Sequence, residues 1–293
     1  IVKRDAEAIF MRAYYHYLLL RLYGPIPIVE SSRDGNEILV PQARKPFVEC
    51  VQWISDQIDW ACENGMPQKR NESIELGLPT VGAARAIQSR MYLMAASPLY
   101  NGNSVYSNWK NKDGAALMPA NYDKELWKVA ADAAKDVIDN YGYSLKQPKA
   151  KSGEPTFDEV VENIRTITTT WGENENPELI WGHPNTIQWY AKCAVPARWY
   201  GWNGRYSLPL GMINDFFMAD GSKARPLAEW FENKEFSTEA ANGTIANTFH
   251  MFVNREPRFY ANIHFPNQRV SYAYPNEGDS YQDEDGYGIV DFW

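Results

Sequence analysis

Four stretches in the first 145 residues repeat apolar side chains at helical spacing, and this constrains the fold more than any other feature. In the first, Ala6, Phe10, Ala13, Tyr17 and Leu20 share one face while Asp5, Arg12 and His16 gather on the other, until Gly24-Pro25 stops the helix. The second, Phe47, Val51, Ile54, Ile58, Ala61 and Cys62, starts beside Pro46, a favoured first-turn residue, and stops near Gly65. The third opens at Thr80, which can cap free amides, and runs through Ala83, Ala84 and Ala86 to Ser97-Pro98; its small side chains let a neighbouring helix approach closely. The fourth is Trp127, Ala130, Ala131, Ala134, Ile138 and Tyr141, with Asn121 as its cap and Gly142 just past its end. Starts near residues 3, 46, 80 and 122 are offset by about 43, 34 and 42 residues, as in stacked antiparallel helix pairs with unequal loops. A helical-repeat scaffold and a plain helical bundle both satisfy this pattern.

After Gly142 the texture changes, which divides the chain into a helical region, 1–145, and an irregular one, 146–293. Prolines 148, 155, 177, 184, 196 and 209 punctuate short apolar pieces such as Leu179-Ile180-Trp181, read as isolated strands or extended segments. Helical spacing returns only at Met212 to Met218 and Ala228 to Asn233. Aromatic residues make up 14% of the chain, too many for a disordered tail. Trp53, Trp60 and Trp127 on the helices read as packing residues, whereas Trp171, Trp181, Trp189, Trp199 and Trp202 gather in 32 residues of little regular structure.

Charge and cysteine content narrow the function. A net charge of −8 disfavours a sequence-independent grip on nucleic-acid phosphates. No apolar run approaches the roughly 20 residues of a membrane helix. The three cysteines, Cys50, Cys62 and Cys193, are no disulfide framework, and Cys50 and Cys62 lie about 18 Å apart along one helix, beyond disulfide reach. His16, His183, His250 and His264 lack metal-ligand spacing, so no metal or other cofactor is expected. Asp283-Glu284-Asp285-Gly286 lies in the acidic stretch 277–285 but lacks the spacing of a calcium loop and reads as a solvated turn.

Five segments in order resemble the SusD/RagB family of glycan-binding lipoproteins of Bacteroidetes outer membranes. They are Glu7 to Tyr15 running into Leu22-Tyr23-Gly24-Pro25-Ile26-Pro27; Gly82-Ala83-Ala84-Arg85-Ala86 through to Ser97-Pro98-Leu99-Tyr100-Asn101-Gly102; Asn176 to Trp181; Met218-Ala219-Asp220-Gly221; and Arg255-Glu256-Pro257-Arg258-Phe259-Tyr260. The resemblance implies a mainly α fold, with tetratricopeptide-like helix pairs packed as one structural unit against an irregular, loop-rich region with a few short strands. It implies no catalysis, but capture of a glycan at the cell surface by a lipid-anchored protein that delivers it to a SusC-like TonB-dependent transporter. Family proteins are considerably longer, so the chain is expected to be a fragment, incomplete at both ends.

A sugar ring stacks its C–H face on an aromatic ring while amides, carboxylates and guanidinium groups meet its hydroxyls. The densest such set is Trp189, Tyr190, Trp199, Tyr200, Trp202, Asn203 and Arg205, with Tyr206, the expected ligand-binding site. A second candidate is the loop from Tyr100-Asn101-Gly102-Asn103 to Tyr106 and Trp109. Two other functions fit parts of the sequence. A glycoside hydrolase needs two carboxylates about 5–9.5 Å apart, for which Glu173, Glu175, Glu178 and Asp215 are available. A helical-repeat adaptor would bind a protein partner on its concave face.

Overall fold

Why α1 (Val2–Tyr23) forms where it does follows from its buried stripe: Ala6, Phe10, Ala13 and Leu20 are fully buried and Tyr17 nearly so. This computed structural model describes residues 2–30, 42–70, 75, 77–146, 152–169, 176–182, 207–270 and 288–289. Two compact units divide it, one of Ile1–Leu145 with Trp171–Pro184, the other of Lys146–Thr170 with Asn185–Trp293. The described elements are mainly helical.

In the first unit, α2 (Phe47–Glu63), α3 (Val81–Ala96) and α4 (Glu125–Asn140) follow α1, and each helix packs on the next. Gly24, at φ +67°, ends α1 by donating its N–H to Leu20 O at 2.9 Å. Thr80 caps α3, its hydroxyl accepting from Ala83 N at 3.2 Å. Gly142, at φ +72°, lies just past α4.

Two packing expectations are corrected, those on α2 and α4. On the polar side of α1, His16 is buried against Trp53, 4.7 Å between ring centroids, and the Arg12 guanidinium lies over the same indole. Val29 N–H donates to His16 Nε2 at 3.1 Å while Nδ1–H donates to Arg12 O at 2.8 Å, so both ring nitrogens are satisfied in one neutral tautomer. On α2 the core takes Cys50 in place of Val51 and Cys62, which are only half-buried, and Trp60 is exposed. On α4 the buried positions are Ala130 and Val137, whereas Trp127, Ala131, Ala134 and Ile138 face outward. The alanine-rich sequence suited either face, and contact with α3 selects the row through Ala130 and Val137. Asp123, not Asn121, caps the entry, accepting from Glu125 N at 2.9 Å.

The second unit holds more helix than its prolines suggest. Helix α5 (Phe157–Thr169) carries a capping box that was legible in Thr156-Phe157-Asp158-Glu159: Thr156 N–H donates to Glu159 Oε2 at 2.9 Å, and Glu159 N–H to Thr156 Oγ1 at 3.3 Å. Three short helices, α6 (Leu210–Asn214), α7 (Leu227–Asn233) and α8 (Pro257–Asn262), follow prolines or begin on one. Two-residue strands β1 (Arg269–Val270) and β2 (Gly288–Ile289) pair antiparallel, Arg269 opposite Ile289. Helix α5 packs on α8 over a core of Val161, Phe259, Tyr260, Ile263 and Phe265, with Phe216 and Phe252 against it. Phe252 and Phe265 stack at 4.8 Å. Much of the aromatic content here is therefore core.

A buried guanidinium ties each unit together. Arg70, fully buried, donates through Nη2 to Glu7 Oε1 and Pro79 O, both at 2.7 Å, and pairs with Glu75 at 3.4 Å. Arg255, also fully buried, has carbonyls as its hydrogen-bond partners: Nη2 donates to Ile213 O and Phe216 O at 2.8 Å, and Nη1 to Met251 O at 3.1 Å. Burial holds its pKa below the ordinary arginine value and pushes the neighbouring Tyr260 phenol up to about 12. Arg255→Met is expected to cost about 3 kcal/mol, because the buried Met251 carbonyl and the partly buried Ile213 and Phe216 carbonyls lose their donor together. Urea unfolding of the chain checks this, and a loss below about 1 kcal/mol contradicts it.

Glu75 supplies a pH test. The Lys3 ammonium, 2.6 Å away, and then Arg70 hold its carboxyl below the ordinary value of 4.5. A lowered folded-state pKa stabilises the fold above the ordinary value, and that contribution disappears as pH falls through the folded pKa. Glu75→Gln should flatten the acid side of a stability-versus-pH curve while leaving the slope above pH 6 unchanged; chemical denaturation across that range measures both limbs.

Candidate functional site

The seven expected site residues, Trp189, Tyr190, Trp199, Tyr200, Trp202, Asn203 and Arg205, lie outside the described residues. So do the acidic turn at Asp283-Glu284-Asp285, Glu173 and Glu175. Of the remaining hydrolase carboxylates, Glu178 belongs to the first unit, where its N–H donates to Asn176 Oδ1, and Asp215 to the second, where it ends α6.

The loop after α3 divides into structural and open parts. Tyr100 is core: its ring stacks on Phe47 at 4.6 Å and its hydroxyl donates to Arg21 O at 3.2 Å. Asn101 is buried and bridges the exit of α3 to the entry of α4. Its Nδ2 donates to Asp123 O and its Oδ1 accepts from Asp123 N, both at 2.8 Å. Gly102, at φ +70°, leaves no room for a side chain, since a Cβ would stand 2.3 Å from Tyr122 N. The Asn-Gly pair thus acts as a latch between helices.

Beyond it, the chain folds back on itself through a bridge between Lys110 and Ala116, with Leu117 N–H donating to Trp109 O at 3.0 Å. The segment at 42–44 runs alongside, joined by Asn111 Nδ2 donating to Arg44 O at 2.8 Å. Between them lies a groove of about 550 Å³ lined by Arg44, Trp109, Lys110, Asn111, Lys112 and Asp113, among others. The Arg44 guanidinium sits 5.3 Å over the Trp109 ring, whose edge rests against Gly24. This groove, next to the second candidate loop, brings Trp109 together with residues that the sequence reading did not select.

The second unit has a pocket of about 470 Å³ lined in part by Met218, Asp220, Lys223, Arg225, Trp230 and Asn254. Two of the resembling segments meet here in an antiparallel bridge between Met218 and Arg255, flanked by Ala219 N–H donating to Asn254 O at 2.8 Å and Glu256 N–H to Phe217 O at 3.0 Å. Asp220 accepts from Ser222, which holds its carboxyl below the usual range. Trp230 offers no stacking face, being buried under the Arg225 guanidinium at 4.6 Å. Arg225 also pairs with Glu235, which His250, and after it Arg225, keeps below its ordinary pKa.

The other reactive side chains are accounted for by packing. Burial raises the Cys50 thiol and pushes Cys62 up to about 11. His264 is half-buried with Nδ1 2.9 Å from Gln268 Oε1, and desolvation lowers its pKa. Among the described residues no three His, Cys, Asp or Glu side chains converge as a metal site, and no helix is long and apolar enough to cross a membrane.

Comparison with known proteins matches this chain twice. A SusD-like family model described as "Starch-binding associating with outer membrane" matches residues 3–93, and a model of the SusD family matches residues 163–290. A SusD-like protein of Bacteroides ovatus is 27% identical over 146 residues, 49% of this chain and 22% of its own length. Among solved structures, BT4246 is similar with a TM-score of 0.73 at 29% identity, covering 91% of this chain and 50% of its own. A SusD-like protein (BF3747) from Bacteroides fragilis shares the fold with a TM-score of 0.60 at 22% identity, covering 99% of this chain and 46% of its own. The chain spans about half the length of these solved structures.

Asn101→Ala should cost about 2 kcal/mol, since the buried Asn101 amide is the side-chain partner of both the N–H and the C=O of Asp123. Thermal unfolding checks it, and an unchanged midpoint would show that Asn101 is dispensable as a latch.

Proposed function

We propose that this chain, which belongs to the SusD/RagB family, is a non-catalytic glycan binder of the outer-membrane surface that passes oligosaccharides or polysaccharides to a SusC-like TonB-dependent transporter. The observation that carries this reading is the pair of family matches in chain order, the first described by starch binding and association with the outer membrane. A lipid anchor would hold such a protein at the cell surface. The proposed contacts are Trp189, Tyr190, Trp199, Tyr200 and Trp202 as stacking rings, with Asn203 and Arg205 meeting ring hydroxyls.

The physical logic is that of a tolerant capture surface. Stacking on an aromatic face depends little on which hydroxyls are axial, so a few rings grip many sugars weakly, and edge contacts then select among them. No bond is made or broken, so no acid–base pair is required.

A glycan array followed by calorimetry tests the reading. The chain should bind at least one polysaccharide, and Trp199→Ala or Trp202→Ala should weaken that binding by about tenfold, the equivalent of about 1.4 kcal/mol. Incubation with the bound glycan should release no reducing sugar. The transporter should co-purify with the protein from outer membranes. Empty arrays, or unchanged affinity in both variants, would overturn the assignment.

A further inference from the structure

We propose that the groove between residues 42–44 and the Trp109–Leu117 turn is a subsite for acidic sugars, holding the carboxylate of a uronic-acid unit on Arg44, Lys110 and Lys112. This rests on the glycan-binding reading above and names a ligand class for it.

Charge makes the first argument. The whole chain carries −8, yet this groove presents three cations against one acid. None of the three has a carboxylate ion-pair partner among the described residues. Asp113, the one acid, already receives Ala115 N–H on Oδ1 at 3.0 Å, which fixes it in the turn. A concave cationic wall on an acidic protein concentrates anions locally while the rest of the surface repels them.

Preorganisation makes the second. Arg44 is held over Trp109 and spends one long hydrogen bond, 3.4 Å, on Pro25 O. Most of its five N–H donors are therefore free in a planar fork that matches a carboxylate. The backbone of Arg44 is pinned by Asn111, and Asn111 N–H is itself tied to Ala115 O at 2.9 Å. Both walls are thus set before a ligand arrives.

Shape makes the third. About 550 Å³ falls within the roughly 300–1,000 Å³ of small-ligand clefts, room for one or two sugar rings. Arg44 covers a face of Trp109, so the indole is not open there for stacking. Recognition in the groove must come from charge, and a neutral sugar gains little from it.

Calorimetry with a galacturonic-acid trisaccharide, its methyl-esterified form, and a sulfated chondroitin oligosaccharide tests the assignment. The acid form should bind at least tenfold more tightly than the ester and lose most of that advantage between 50 and 500 mM salt. Arg44→Gln, and separately the double change Lys110→Gln with Lys112→Gln, should each cost at least fivefold for the acid form. These positions are exposed, and thermal midpoints confirm that the variants fold. Equal affinity for acid and ester, unchanged binding by both variants, or a preference for the sulfated probe overturns the uronate subsite. If neutral glycans still bind, and respond to Trp199→Ala or Trp202→Ala, the glycan-binding function survives that result. Binding of no glycan at all overturns the function together with the subsite.

Discussion

Helix α3 has to be nearly surrounded, and the first unit follows from how its sequence allows that. Val81, Gly82, Ala83, Ala84, Ile87, Gln88, Met91, Ala95 and Ala96 are buried, and α1, α2 and α4 all contact the helix. A Cβ on Gly82 would stand 2.4 Å from the Tyr143 hydroxyl, so any side chain there must displace the Tyr143 ring. A helix buried on several sides must also satisfy its polar residues inside. Gln88 Nε2 donates to Ser55 Oγ at 2.9 Å and to Asp59 Oδ1 at 3.0 Å, and Asp59 accepts from Arg85. Ser55 Oγ lies 2.6 Å from the Tyr92 hydroxyl, closing a polar seam between α2 and α3. Small residues permit the approach, and this seam fixes the register, because a slip of one turn would strand buried polar groups.

The less regular segments face the opposite difficulty. Their backbone carbonyls lack helical partners, yet several are buried and need donors. Arginine meets this need economically, since one guanidinium carries five N–H groups. Arg70 and Arg255 perform the same task with different electrostatics. Arg70 is balanced by Glu7 and Glu75, which remain partly exposed, and it joins the loop before α3 to α1. Arg255 gathers the end of α6 and the turn at His250–Phe252 through carbonyl dipoles, with the Phe259 ring 5.0 Å away. Ile213 O, in the last turn of α6, carries partial negative charge that offsets part of the guanidinium's own.

Much of the helical half was legible because helical period and caps are local. Phe10, Ile54, Ile58 and Thr80 take the roles that their spacing predicts. The errors arise where two faces are chemically equivalent. On α4, alanines point in several directions, and only the position of α3 chooses among them. On α1, the spacing puts Arg12 and His16 opposite the apolar stripe, and nothing local reveals that Trp53, thirty-seven residues beyond His16, will cover them. Helix α5 has its local sign in the capping box Thr156 to Glu159, which the proline-based reading of 146–210 leaves out. Arg70 and Arg255 carried no local sign of burial, since Glu7, which pairs with Arg70, and the Ile213 and Phe216 carbonyls that meet Arg255 lie far off in the chain.

The segments that resemble the family turn out to be joints. Glu7 holds Arg70, Phe10 meets Trp181 edge-on at 5.6 Å, and Trp181 Nε1–H donates to Gly77 O at 2.9 Å. Asn101 latches α3 to α4, and Ala219 pairs with Asn254. Such residues are legible because their role demands one residue type: a glycine where no Cβ fits, or an amide that must both donate and accept. A capture surface imposes no such demand, because many aromatic and polar sets can grip a sugar, so it leaves no strict pattern in the chain. The tryptophans sharpen the point. Trp109 and Trp230 lie under guanidinium groups and Trp181 packs against Phe10 and Tyr14, so an aromatic in an irregular segment is no measure of a free stacking face. What separates a platform from a packed ring is whether a cation or another ring already occupies its π-face. At Trp109 the occupant is itself the group that would meet an anion, which turns an aromatic site into an electrostatic one.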